Sequence, residues 1–239
     1  MKMMDGTRPV ARLVLGAFIG ALVTAGCLAA PLATSSVVMA AGKKDPGEKL
    51  YLRRTCMACH GKGGVKAIQD YPNIAGQDKK YMLDQIGDIL AGKRTGSPDF
   101  TGHPRAEGMR GALVTADGKI RVTDDEIKQI VNWLADQPPA PPAPLVSPLT
   151  ETQMKAGADA YKKGKCQTCH GKDGTKPLKG YPYIAGQKQA YIIAQVKDIR
   201  DKLRTNGKTK VMLPFVRKLS DEQITVIATY LSQIDRTAK

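Results

Sequence analysis

Residues 56–95 and 166–205 align without a gap at an offset of 110, and 19 of the 40 positions are identical. One structural plan therefore has to serve twice, and each copy must form its own core. "YPNIAGQ" at Tyr71 returns as "YPYIAGQ" at Tyr181. Tyr81, Gln85, Asp88, Ile89, Arg94 and Thr95 return as Tyr191, Gln195, Asp198, Ile199, Arg204 and Thr205. Upstream, Gly47 and Tyr51 match Gly157 and Tyr161, and near the end "VTDDEIKQIVNWLAD" resembles "LSDEQITVIATYLSQ". The first copy carries extra residues on either side of Met109. Between the copies, "QPPAPPAPLVSP" (137–148) is too proline-rich for helix or central strand and reads as an extended, semi-rigid linker.

Within each copy the apolar spacing is helical. A short helix is expected around Tyr51 and Tyr161, a second over Asp78–Leu90 and Lys188–Leu203, and a last one beginning at Thr123 and Ser220. Thr123 has Glu126 three residues on, a capping box; in the second copy Glu222 comes one residue early. Met82 sits where the second copy has Ile192, so it is read as core. No alternating strand pattern stands out beyond a short hairpin around "VTADGKIRV", where Asp117-Gly118 signals a turn. The fold class is all-α, in two tandem domains. Aromatics are only 5% of residues, so each core is thin, and a small domain of that kind calls for a metal, cofactor or disulfide.

Cysteine and histidine usage supplies that element. Four of the five cysteines and two of the three histidines fall in "CMACHG" (Cys56, Cys59, His60) and "CQTCHG" (Cys166, Cys169, His170). Two disulfides would use the thiols but leave the adjacent histidines unexplained. A zinc knuckle needs four clustered ligands, and neither histidine has a second one nearby. Cys-x-x-Cys-His is the attachment pattern of c-type haem: the thiols bond the porphyrin and the histidine reaches the iron. Two covalent haem c groups are expected. The iron's sixth position decides between electron transfer and chemistry, and a Met thioether closes it and raises the potential. Met212, in "KVMLPFV" read as a loop, is the candidate in the second copy; Met109, in the matching stretch, is preferred to His103 in the first. Pro72 and Pro182 are candidates for placing a carbonyl beside each axial histidine, accepting its Nδ1–H and fixing the tautomer.

The amino terminus has a basic start (Lys2, Arg8, Arg12), an apolar run Leu13–Ala30 and a small-residue site "VVMA". Cleavage of an export signal after Ala40 is expected. The alternatives are an uncleaved anchor and lipidation of Cys27, either of which would hold the protein at a membrane. The expected partition is a signal peptide at 1–40, a first domain at 41–137, a linker at 138–149 and a second domain at 150–239. The localisation that follows is periplasmic. The formal charge of +15 falls to +13 without the signal and asks for an acidic redox partner. Lys62, Lys66, Lys172 and Lys176 follow the haem motifs, where they could ring an exposed haem edge. No basic cluster with stacking aromatics marks a nucleic-acid site.

These residues resemble class I cytochrome c, and the doubled form resembles the diheme cytochrome c4 family. The shared features are the two CxxCHG motifs, "P-x-I-A-G-Q", Tyr-x-x-x-Gln, the Arg-Thr pairs, a methionine, and a last helix with Trp133 or Tyr230. The resemblance covers nearly all of residues 45–235. It implies two all-α lobes with their haems near each other at the interface. It also implies that Gly47/Tyr51 and Gly157/Tyr161 lie where the first helix of each copy crosses the last, against Trp133 and Tyr230. The insertions around Met109 depart from the family pattern. The function expected is periplasmic electron transfer without catalysis. The alternatives are a haem subunit of a dehydrogenase complex, or a diheme enzyme acting on peroxide or sulfur compounds.

Overall fold

The computed structural model describes residues 44–237. The proposed signal peptide, its cleavage site at Ala40 and Cys27 lie outside the described residues.

The first copy contributes α1 (Pro46–Arg53), α2 (Met57–His60), α3 (Lys79–Leu90), α4 (Arg105–Leu113) and α5 (Asp124–Asp136). The second contributes α6 (Glu151–Lys163), α7 (Gln167–His170), α8 (Gln189–Arg200), α9 (Thr209–Val216) and α10 (Asp221–Ser232). In each copy the first helix packs on the last, α1 on α5 and α6 on α10. Glycine makes that crossing close. A Cβ on Gly47 would lie 2.3 Å from the Gln129 carbonyl oxygen and 2.5 Å from Trp133 Cβ. One on Gly157 would lie 2.2 Å from Tyr230 Cβ. Tyr51 and Tyr161 fill the seam beside them, tilted against Trp133 and Tyr230 at ring separations of 5.2 and 6.2 Å. Val131 and Leu134 complete the first core; Ile227, Ala228 and Leu231 complete the second.

Several local expectations are corrected. The stretches holding Met109 and Met212 are helices, α4 and α9, not loops. α9 keeps its turns despite Pro214 near its end, where the missing N–H costs one bond in a helix anchored by buried Thr209 and Val216. The box at Ser220 closes on Gln223, three residues on, rather than on Glu222. α8 ends at Arg200 rather than Leu203. The stretch around Asp117-Gly118 forms a turn closed by a single bridge, Val114 to Ile120.

Residues between α5 and α6 form no helix, yet they pack on both copies. Ala140 is buried, Ala143 O accepts from Gln233 Nε2 at 3.1 Å, and Pro139 lies against Gly76. The extra residues of the first copy also reach across. Ser97 N donates to Asp198 Oδ1 at 3.1 Å, and Arg105 pairs with Asp70 while its Nε lies 4.0 Å from Asp198 Oδ2.

Candidate haem sites

Each CxxCHG motif is preceded by a residue with positive φ, Thr55 (58°) or Lys165 (57°), which ends the preceding helix and starts a new turn. The turn carries the histidine at its end, α2 in the first copy and α7 in the second. The chain must then reverse. Gly61 and Gly171 do this with φ near 73°, and a Cβ there would lie 2.2 or 2.1 Å from the carbonyl oxygen of Lys66 or Lys176. The glycine of the motif is thus required by backbone approach. Tyr51 and Tyr161 brace the same corner by donating to the Gly61 and Gly171 carbonyls at 2.6 and 2.8 Å.

His60 Nδ1 lies 3.0 Å from the Pro72 carbonyl, and His170 Nδ1 lies 3.0 Å from that of Pro182. A carbonyl can only accept, so each ring carries its proton on Nδ1 and leaves the Nε2 lone pair for a metal. Burial pushes both histidines below their ordinary pKa; the carbonyls oppose this, and at His60 the Arg94 cation adds to the lowering. Both rings are therefore neutral near pH 7, the state a ligand needs.

One cavity is lined by both copies. His60, Met109 and Cys56 face it from the first, and His170, Met212 and Cys166 from the second. His103 is exposed and lies off its wall, as does Cys59. Met57 is exposed; Met82 is buried, as its match to Ile192 predicts, and it too lies on the cavity wall. None of the four motif cysteines pairs in a disulfide, which leaves each sulfur for attachment to a haem. No group of three or more His, Cys, Asp or Glu arranged to hold a metal forms among the described residues.

The cavity wall fits a haem. It is mostly aliphatic, with Ile86, Ile89 and Leu113 on one side and Ile192, Val196 and Ile199 on the other. Its polar lining includes Asn73, four glutamines and several tyrosines, and its two cations are Arg94 and Arg204. Arg94 donates to Tyr191 OH (2.8 Å) and Gln195 Oε1 (3.2 Å); Arg204 donates to Gln195 Oε1 (2.7 Å), Gln85 Oε1 (2.8 Å) and Asn206 Oδ1 (3.1 Å). All these hydrogen-bond partners are neutral; the one carboxylate acting on Arg94 is Asp88, which is itself hydrogen-bonded to Asn206. Two guanidinium ions held mostly out of water with neutral partners are costly by themselves and suit an acidic group entering beside them. A haem is a flat apolar ring with two carboxylates.

A cytochrome c family model matches residues 45–138, and one described as cytochrome C oxidase, cbb3-type, subunit III matches residues 152–231. Cytochrome c4 from Azotobacter vinelandii is 31% identical over 185 residues, covering 74% of this chain and 82% of its own. The crystal structure of reduced recombinant cytochrome c4 from Pseudomonas stutzeri superposes with a TM-score of 0.64 at 29% identity, over 81% of this chain and all of that one. This chain belongs to the cytochrome c4 family.

A thiosulfate dehydrogenase electron acceptor from Thiomonas intermedia is 27% identical over 74% of this chain and 77% of its own. As a member of this family, the chain is a diheme electron-transfer protein of two cytochrome c domains, each with one covalently attached haem c. The paired arginines and the glutamines of "P-x-I-A-G-Q" went unassigned in the sequence, and Tyr51 and Tyr161 were expected to pack at the helix crossing but not to brace the Gly61 and Gly171 carbonyls. Their identity in both copies was the available signal.

Proposed function

We propose that this family member is a periplasmic carrier in which His60 and Met109 would hold the iron of one haem and His170 and Met212 the iron of the other. Cys56, Cys59, Cys166 and Cys169 are the attachment thiols. The observation that carries the reading is the shared cavity wall: His60, Met109, His170 and Met212 all lie on it, and His103 does not. Each haem supplies a one-electron couple. The chain's part is to hold the histidine tautomer through Pro72 and Pro182, to keep water off with aliphatic walls, and to offer a thioether that favours the reduced state. With both sixth positions filled, the protein passes electrons without making or breaking substrate bonds.

The proposed domains are 41–137 and 150–239 on either side of the linker at 138–149, after removal of 1–40. No helix among the described residues is long and apolar enough to cross a membrane. The second domain is the proposed docking side. Residues 150–239 hold 18 Lys and Arg against 8 Asp and Glu, whereas residues 44–137 hold 15 against 13. Lys93, Lys165 and Lys208 stand at a second depression beside His170, with exposed Val211 and Phe215, and outnumber Asp84 and Asp88 on its wall. An acidic partner surface with an apolar centre fits there. A relative named as the electron acceptor of a dehydrogenase supports an oxidoreductase as donor.

The test of the ligand set compares Met109→Ala with His103→Ala in the haem-loaded protein. Met109→Ala is expected to remove the sulfur-to-iron charge-transfer band of the first haem and lower its potential, with His103→Ala leaving both unchanged. A spectral change in His103→Ala alone would make the first site bis-histidine.

A further inference from the structure

Gln77 and Gln187 end the repeated "P-x-I-A-G-Q" segments, and both are buried. Each turns its amide into the other domain. Gln187 Oε1 accepts from Asn73 N at 3.0 Å, and its Nε2 donates to Asn73 O at 2.8 Å. Gln77 Oε1 accepts from Tyr183 N at 2.8 Å, and its Nε2 donates to Tyr183 O at 2.9 Å. Each Oε1 also accepts the N–H of the next residue in its own chain segment, Asp78 or Lys188, which fixes the amide's orientation.

Asn73 directly follows Pro72, and Tyr183 directly follows Pro182. The N–H taken by Gln187 and the carbonyl facing His60 Nδ1 therefore belong to one planar peptide group. The N–H taken by Gln77 and the carbonyl facing His170 Nδ1 belong to another. Donating its N–H polarises an amide toward more negative carbonyl oxygen, so the two bonds strengthen each other. The glutamine also fixes the plane of the peptide, and so the direction of its carbonyl.

We infer that Gln77 and Gln187 are crossed positioning residues. Each sets the hydrogen bond on the axial histidine of the other domain, Gln187 acting on His60 and Gln77 on His170. A stronger acceptor on Nδ1 makes the imidazole a more electron-rich ligand, which favours the oxidised iron. The clasp thus ties the potential of each haem to the closed arrangement of the two domains. The inference rests on His60 and His170 being axial ligands.

The test uses the haem-loaded full chain. Gln187→Met keeps side-chain length and apolar bulk but removes both amide partners. It is expected to raise the potential of the haem held by Cys56 and Cys59, changing its reduction equilibrium roughly two- to tenfold, the range for one hydrogen bond's net free energy. The haem held by Cys166 and Cys169 should stay put. Gln77→Met should do the reverse. Signals are assigned to each haem through NMR contacts with its own cysteines, and the hyperfine-shifted Nδ1 proton of the affected histidine should move with the potential. Gln187→Glu keeps the acceptor for Asn73 N and should bring the first haem back to or below its starting potential, which also serves where the Met variant fails to fold. A shift on the haem of the substituted domain, an equal shift on both, or no shift overturns the inference. Failure of the ligand assignment shows separately: the unsubstituted protein would then lack hyperfine-shifted ring protons from His60 and His170.

Discussion

Replacing Gly157 with alanine is expected to lower the melting temperature of the haem-loaded protein by roughly 6–12 °C, from a cost of about 3 kcal/mol or more. The new methyl would sit 2.2 Å from Tyr230 Cβ and 2.9 Å from its Cγ. Neither atom is the far end of a flexible side chain, so α6 and α10 have to separate. That separation also loosens Tyr161, whose hydroxyl holds the Gly171 carbonyl behind His170. Gly111→Ala is the matched control, because no atom lies within 4 Å of a Cβ there and the site is exposed. In a helix interior that change should stabilise, by up to about 1 kcal/mol. Equal melting temperatures for Gly157→Ala and the parent would mean that the two helices do not cross at this distance.

Met212→Ala should have the largest effect on the second site's electronics. Met212, on α9, lines the same cavity as His170. Removing the thioether is expected to abolish the sulfur-to-iron charge-transfer band of that haem only, and to lower its potential, because soft sulfur favours the reduced iron. The first haem should keep its band. Redox titration followed at that band, with the Soret region as the record of both haems, separates the two outcomes. An unchanged band would remove Met212 from the ligand set.

The chain showed its plan through repetition and its chemistry through a short motif. The two CxxCHG segments needed no long-range information, because two thiols and a histidine within five residues lie on one turn whatever surrounds them. Pro72 and Pro182 were readable for the same reason: a proline offers only a carbonyl. The helices α4 and α9 were not readable. Gly108 and Gly111 dilute the pattern of α4, and Pro214 argues against α9, so tertiary packing decides both. Ser220 offered two partners one residue apart, and only backbone geometry chooses Gln223. The cross-domain contacts were hidden for another reason. Gln187 meets a residue 114 positions away and Gln77 one 106 away, and the sequence pattern at each end is the same as for a simple turn. The duplication marked these glutamines as shared features without saying that each serves the other copy.

We propose that both irons are closed, each by one histidine and one methionine, so that the protein carries electrons and transforms no substrate. Optical and electron paramagnetic resonance spectra of the oxidised protein, before and after adding cyanide, test it most directly. The predicted result is two low-spin haems per chain, each with a sulfur-to-iron charge-transfer band, and no rapid change with cyanide. A high-spin signal from either haem that disappears promptly on adding cyanide would mean an open iron, and would contradict the claim.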